Sequence, residues 1–144
     1  MGKIIAVCMS PEKGTAKQNV HQARVVENHG LEGDAHASTW HRQVSLLSYE
    51  SIEQFKAEGA QVTEGAFGEN LIVSGIDLLS LPVGTKLQCG SIVLQITQIG
   101  KECHHGCAIF QQMGRCIMPH EGVFARVLQG GEIHEDDEIQ VLEP

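Results

Sequence analysis

The sequence predicts a mainly β (β-rich α+β) domain, built as a β-barrel with one or two short peripheral helices. Three observations support this fold class. The 16 glycines break the chain into short pieces, segments rich in β-branched residues recur along it, and few segments show helical periodicity. A length of 144 residues suits one domain, so we expect residues 1–144 to form a single unit.

The predicted strands are short and are separated by glycine and polar residues. The clearest hairpin turns at Gly90 and Ser91, because glycine accepts a positive φ at the first position of a two-residue turn. A second hairpin is expected to join residues 123–128 to residues 138–142, with the acidic stretch 132–137 left in solvent. The predicted strands cover residues 3–10, 22–27, 43–48, 70–73, 86–89, 92–99 and 138–142.

One segment has apolar residues at helical spacing. Ser48 or Ser51 can cap this helix, and Gln54 can complete a capping box with Ser51. Gly59 is a natural end for it. A second short helix is expected over residues 106–113.

The net charge argues against a nucleic-acid binder. The 10 basic residues are outnumbered by 18 acidic ones, which gives a net charge of −8. No stretch approaches the ~20 apolar residues needed to span a bilayer, and the N-terminus lacks the features of a signal peptide. We therefore expect a cytoplasmic protein with no membrane partner. In that reducing compartment, the 5 cysteines are expected to be free thiols, metal ligands or reactive groups rather than disulfides.

The densest group of reactive side chains follows the predicted strand 92–99. In a zinc interpretation, three cysteines and a histidine complete a tetrahedral site. In a thiolate interpretation, Cys103 carries sulfur or ligates a cofactor metal, and its basic neighbour Lys101 favours the thiolate. In a third, some of these cysteines are simply buried apolar residues. Spacing alone does not separate the three interpretations. The candidate metal ligands are Cys103, Cys107, Cys116 and His104.

A second group lies in the glycine-containing loop before the strand that begins near Gln43. Arg42 is suited to hold a phosphate through a forked hydrogen bond, and Trp40 is suited to stack on a planar ring. Asp34 and His36 stand earlier in the same loop. The alternative is a turn at Asp34 followed by a charged entry into the strand.

A third group is the stretch Gly65-Ala-Phe67-Gly68-Glu69-Asn70. Its two glycines allow a ligand to approach the backbone closely, which leaves the amides of residues 65–68 free to donate. The alternative is a tight turn into the strand that begins at Asn70.

Taken in order, these motifs resemble those of the MOSC domain, a family named after the C-terminal domain of molybdenum cofactor sulfurase. The resemblance extends over nearly the whole chain. Each motif alone is weak evidence for the family, whereas the ordered set is specific to it. The motifs are Gly33-Asp34-Ala-His36, Arg42-Gln43-Val44, Gly65-x-x-Gly68-Glu69-Asn70-Leu71, Leu81-Pro82-Val83-Gly84-Thr85, the Cys103 segment and Val123-Phe-Ala-Arg126-Val127.

The resemblance implies a β-barrel that binds molybdenum cofactor (molybdopterin) and uses one cysteine as its functional thiol. That cysteine corresponds to Cys103, with Cys107 as the reserve candidate. Residues and resemblance together give the candidate cofactor-binding set His36, Trp40, Arg42, Gly68, Glu69, Asn70, Lys101 and Arg126.

The implied function is to carry or deliver sulfur in cofactor maturation, as in small stand-alone bacterial members of the family. Its partners would be cofactor assembly proteins or a molybdoenzyme that accepts the sulfur. The chain has no room for a pyridoxal-phosphate desulfurase domain, so we expect it to receive and pass on sulfur. One alternative is a non-enzymatic binding module with structural zinc. Another is a reductase of N-oxygenated compounds, although Gly100-Lys-Glu-Cys103 replaces the Arg-x-Pro-Cys-like approach usual in such members.

Overall fold

The computed structural model describes residues 2–12, 16–100 and 121–142. Strands dominate this part of the chain, which also has one α-helix, α1 (Tyr49–Ala57), and a 3₁₀ helix over Leu78–Ser80. No helix within these ranges is long and apolar enough to cross a membrane. The strands are β1 (Gly2–Met9), β2 (Gln18–Asn19), β3 (Gln22–Val26), β4 (Gly30–Leu31), β5 (Val44–Ser48), β6 (Leu71–Ser74), β7 (Lys86–Cys89), β8 (Ile92–Ile99), β9 (Val123–Gln129), β10 (Gly131–His134) and β11 (Glu138–Val141).

A closed barrel forms the body of the described structure. Its strands follow the order β11-β7-β8-β9-β5-β6-β1, and β1 closes the ring by pairing with β11 at Gly2↔Ile139. Neighbours are antiparallel except β5 and β6, which run parallel and are connected through α1. A small sheet of order β10-β3-β4 lies outside the ring, and β2 extends one edge of β1. This architecture confirms the predicted β-barrel with a peripheral helix.

Two apolar layers stabilise the barrel. Ile92, Leu94 and Ile96 alternate along β8 with outward-facing residues and are buried in the interior cluster. A second cluster, which includes Phe55 of α1 and Phe124 of β9, packs the helix against the outer face of the sheet. The outer layer matters for function because the candidate site adjoins Phe124.

The local elements match the sequence closely. The β7–β8 hairpin turns at Gly90, whose φ is +59°, with Cys89 paired to Ile92 as expected. Ser48 caps α1 by accepting a hydrogen bond from the Ser51 amide at 3.4 Å. The alternative capping box that begins at Ser51 is therefore not the one used.

The second predicted hairpin is wrong. After β9 the chain enters β10, which pairs with β3, whereas β11 pairs with β7 and β1. The acidic stretch 132–137 is not left wholly in solvent either, because Ile133 is fully buried between outward-facing neighbours. A single apolar residue in an alternating pattern outweighed the surrounding charge. The helix predicted over residues 106–113 lies outside the described residues.

Candidate functional site

Arg42 packs against two aromatic rings on the outside of the barrel. Its guanidinium carbon lies 4.8 Å from the centroid of the Trp40 ring and 5.6 Å from that of Phe124. Both distances fit cation–π contacts. The Arg42 Nε is buried and has no hydrogen-bond partner among the described residues. A buried guanidinium N–H without an acceptor is costly, so these three residues, here called the Arg42 cluster, offer a donor to an anion.

The Arg42 cluster adjoins the strand end that leads to the cysteine segment. Thr97 of β8 donates through its hydroxyl to the carbonyl of His41 and also lies 3.2 Å from the carbonyl oxygen of Phe124. Three residues after Thr97, the Gly100 amide donates to the carbonyl of Gly122 at 2.7 Å. The described residues that flank the segment 101–120 therefore lie near the Arg42 cluster.

A buried charged cluster lies next to the Arg42 cluster. The Lys17 Nζ is 2.6 Å from the Asp34 Oδ1 and 2.9 Å from the His36 Nδ1. The Lys17 and Asp34 side chains are only 1% and 0% exposed. The Trp40 indole N–H donates to the carbonyl oxygen of His36 at 2.8 Å, which connects this Lys17 cluster (Lys17, Asp34 and His36) to the Arg42 cluster.

Lys17 is not among the site residues that the sequence predicts, and Asp34 is predicted mainly as a turn residue. A lysine in a polar stretch carries no local sign of burial, and its partners stand 17 and 19 residues away. An alternating or helical pattern would not have found it. The burial of Lys17 depends on long-range packing of the loop after β1 against the loop before β5.

Glu69 is wholly buried and holds its own loop together. Its carboxylate oxygens accept hydrogen bonds from the amides of Gly65 at 3.1 Å and Phe67 at 3.0 Å. Burial raises the pKa of Glu69 to about 7, although these amides and the charge of Lys17 oppose the rise. The Gly68 amide donates to the carbonyl of Gly65 at 3.0 Å. The amides expected to be open to a ligand are thus used inside the loop.

Asn70 is also engaged in the fold. Its Oδ1 accepts from the Ser45 amide at 2.9 Å, and its Nδ2 donates to the Cys8 carbonyl at 3.0 Å. The Ser45 hydroxyl donates to the carbonyl of Gly68 at 3.2 Å. These bonds fix the 65–70 loop against β5 and β1, and they account for both polar atoms of the Asn70 side chain.

The remaining candidates divide between an exposed arginine and residues outside the described ranges. Arg126 is exposed on β9, two residues after Phe124 and therefore on the same face of that strand. Lys101, Cys103, His104, Cys107 and Cys116 all lie outside the described residues. Within the described ranges, no group of three or more histidine, cysteine or acidic side chains is placed to hold a metal ion.

Cys8 and Cys89 are free cysteines and both are buried. Burial raises the pKa of the Cys8 thiol far above its ordinary value. Burial and the charge of Asp137 raise that of Cys89 to about 11. Both thiols are therefore protonated at neutral pH and poorly reactive.

Comparison with known proteins identifies the family. The family model for the MOSC domain matches residues 29–140, well over half of the chain. Among solved structures, the YuaD protein from Bacillus subtilis superposes with a TM-score of 0.82 at 19% identity, covering 98% of this chain and 96% of that one. YiiM from Geobacillus stearothermophilus gives 0.74 at 22% identity, with 99% and 76% covered. YiiM from Escherichia coli gives 0.69 at 18% identity, with 99% and 70% covered.

At these identities the solved structures establish the fold alone, and no curated protein matches the sequence. The family assignment depends on the MOSC match, together with the barrel and the ordered motifs. The chain belongs to the MOSC domain family, which is associated with binding of the molybdenum cofactor.

Proposed function

We propose that this protein binds molybdenum cofactor at the Arg42 cluster and carries sulfur on Cys103. The observation that carries the proposal is the buried, unpartnered Nε of Arg42 beside two aromatic rings. In a folded protein such a donor is a cost unless a ligand supplies the acceptor. Thr97, three residues before Gly100, contacts the carbonyls of His41 and Phe124, which supports a connection between this cluster and the cysteine segment that follows Gly100.

The residues present fit the chemistry of the cofactor, which has a planar pterin, a phosphate and a metal dithiolene. Arg42 supplies a forked donor for the phosphate, and the exposed Arg126 adds positive charge on the same side of the sheet. The Trp40 ring would offer an aromatic surface to the planar pterin. When bound, the cofactor supplies a molybdenum centre that accepts soft sulfur ligands.

Three of the candidate residues are better explained as support for the site. The side chains of Glu69 and Asn70 are hydrogen-bonded to backbone groups, and the Gly68 amide donates within its own loop. We assign them the role of shaping the 65–70 loop rather than touching the cofactor. His36 and Lys101 stay in the cofactor-binding set.

Cys103 is the thiol that we assign to sulfur transfer. It follows Gly100, the last described residue before residues 101–120, by three positions in the sequence. Lys101 and His104 are basic neighbours that favour a thiolate. The thiols of Cys8 and Cys89 are excluded from this role by burial.

The transfer is an exchange between thiols. The Cys103 thiolate attacks the outer sulfur of a donor persulfide, the donor's S–S bond breaks, and the donor leaves as a thiolate. The proton stays on the transferred sulfur, and there is no net oxidation. An acceptor thiolate removes the sulfur by the same reaction. Free thiols persist in a reducing compartment, so we propose a cytoplasmic protein with cofactor assembly proteins or a molybdoenzyme as partners.

Cofactor loading of an arginine variant tests the binding site. We expect Arg42→Met to weaken cofactor binding roughly 10- to 100-fold, the worth of a hydrogen bond to a charged group. The measurement is the molybdenum and pterin content of protein purified from a host that makes the cofactor. Arg24→Met is the matched control, because Arg24 is 72% exposed and its nearest acidic partner is 3.9 Å away. Equal loading of both variants would contradict the assigned site.

A further inference from the structure

The end of β8 contains a β-bulge next to the Arg42 cluster. The pairing of β8 with β9 shifts register between Ile96 and Gln98, so Thr97 is an extra residue with no partner on β9. Strict alternation after the buried Ile96 would bury Gln98, whereas Thr97 and Gln98 are both partly exposed. Bulges often redirect side chains beside functional sites. Here the bulge directs two polar side chains toward the loop before β5.

Both residues of the bulge hold His41 in that loop. The Thr97 hydroxyl donates to the His41 carbonyl, and the His41 Nε2 lies 2.8 Å from the Gln98 Oε1. The Gln98 Nε2 lies 2.7 Å from the carbonyl oxygen of Gly100 and must donate to it, because a carbonyl has no proton. The direction of the Gln98 amide is thereby fixed. Its oxygen faces the imidazole, so the His41 Nε2 carries a proton and donates.

His41 lies between two members of the Arg42 cluster in the chain and contacts one of them. The centroids of the His41 and Trp40 rings are 5.9 Å apart at an interplanar angle of 67°, which is an edge-to-face arrangement. The Arg42 guanidinium carbon lies 4.8 Å from the centroid of the same Trp40 ring. Residues 32–43 form neither helix nor strand. Side-chain contacts with the barrel therefore hold Trp40 and Arg42 in place.

We propose that Gln98 is a positioning residue for the Arg42 cluster. By binding the His41 imidazole, it fixes Trp40 and Arg42 relative to the barrel, and it raises the affinity of the cluster for an anionic ligand that Gln98 itself does not touch. The physical reason is that side chains already held in their binding geometry lose less conformational freedom when the ligand binds. The identity of the ligand rests on the proposed function, whereas the hold on His41 depends only on the contacts described above.

Acrylamide quenching of tryptophan fluorescence in cofactor-free protein tests the hold on the loop. Trp40 is the only tryptophan of the chain, so the signal reports this loop alone. Gln98→Met nearly preserves the side-chain length and removes both hydrogen bonds. We expect stronger quenching in Gln98→Met than in the wild type, because the His41 ring can then leave the Trp40 ring and expose the indole. Equal quenching in the two proteins overturns the positioning role.

Gln88→Met is the matched control for this experiment. The Gln88 Nε2 makes the same kind of bond as Gln98, to a carbonyl oxygen two residues later, that of Gly90 at 3.2 Å. Gln88 lies in β7 and has no contact with His41 among the described residues. The control variant should show the quenching of the wild type.

Binding of a soluble phosphorylated pterin, followed by Trp40 fluorescence, tests the effect on affinity. We expect Gln98→Met to weaken binding about 2- to 10-fold, the worth of one hydrogen bond, and Gln88→Met to bind like the wild type. His41→Phe keeps a ring beside Trp40 and removes the bond to Gln98, so it should weaken binding to a similar degree. Gln98→Met combined with His41→Phe should then add little.

The outcomes separate the positioning role from the proposed function. Fully additive losses in the double variant would mean that Gln98 acts on the ligand without His41, which overturns the proposal. Unchanged affinity in Gln98→Met also overturns it and leaves the proposed function intact. Absence of binding by the wild type contradicts the proposed function and with it the effect on affinity, while the quenching of Trp40 still decides whether Gln98 holds the loop.

Discussion

Replacing Glu69 with glutamine removes a titratable group from the interior while it nearly preserves the shape of the side chain. Glu69 is 0% exposed, and its two oxygens accept the amides of Gly65 and Phe67. Burial raises its pKa from 4.5 to about 7, because desolvation of the carboxylate outweighs the amides and the charge of Lys17. Between pH 4.5 and 7, Glu69 therefore keeps a proton in the folded protein that it has lost in the unfolded chain.

The size of the effect follows from that difference in pKa. Between pH 4.5 and 7 the native state binds more protons at Glu69 than the unfolded state does, so the free energy of unfolding falls as pH rises. A difference of about 2.5 units at ~1.4 kcal/mol per unit gives about 3 kcal/mol. Above pH 7 the loss is complete and levels off. Glutamine stays neutral throughout, although its amide group replaces one acceptor and costs about 1–3 kcal/mol at every pH.

Urea unfolding of the wild type and of Glu69→Gln from pH 4.5 to pH 8 measures this contribution of Glu69 to the free energy of unfolding. We expect the stability of Glu69→Gln relative to the wild type to increase by about 3 kcal/mol across that range, with equal dependence on urea. The other titratable groups are the same in both proteins, so their contributions cancel when one free energy of unfolding is subtracted from the other. Glu32→Gln, a 66% exposed control, should show no such trend. A constant difference between Glu69→Gln and the wild type would show that burial does not raise the pKa of Glu69, and the reasoning would fail.

Two further predictions concern the glycine loop and the cysteines. In urea unfolding, Gly65→Ala should destabilise the protein by several kcal/mol more than Gly68→Ala. Both glycines have positive φ, but only an added Cβ at Gly65 would overlap the carbonyl of Lys17. Equal losses of stability in the two variants would contradict this packing. A short pulse of limiting iodoacetamide should label Cys103 before the buried Cys8 and Cys89, as read by peptide mapping, and bound cofactor should protect it. Labelling of Cys103 that is indifferent to cofactor would move the functional thiol elsewhere.

The longer strands of the barrel and the helix were predictable because their signals are local, whereas the short strands β2, β4 and β10 were not predicted. The alternation along β8 and the turn at Gly90 need only a few neighbouring residues to specify them. Pairing between strands is different, since it depends on which apolar faces meet in space. The β9–β11 hairpin was predicted from proximity in the chain, whereas the buried Ile133 directs β10 to β3 instead.

The site was predictable in part for the same reason. Arg42 and Trp40 are close in sequence, and the structure places them in contact. The contribution of Phe124 has no local signal in the sequence, because β9 meets β5 through long-range pairing. Glu69 was expected to face a ligand, but it turns inward to bind its own loop. A residue's type and spacing indicate the available chemistry, and the tertiary contacts decide whether that chemistry faces a ligand or the fold.

The most direct test of the account is elemental analysis of Cys103→Ser beside the wild type, both purified without chelator from a host that makes molybdenum cofactor. We predict molybdenum bound to the wild-type protein and sharply reduced in Cys103→Ser. Equal molybdenum in both proteins would contradict contact between the Cys103 thiolate and the bound cofactor. Near-stoichiometric zinc in place of molybdenum would contradict the account as a whole and favour a structural zinc site.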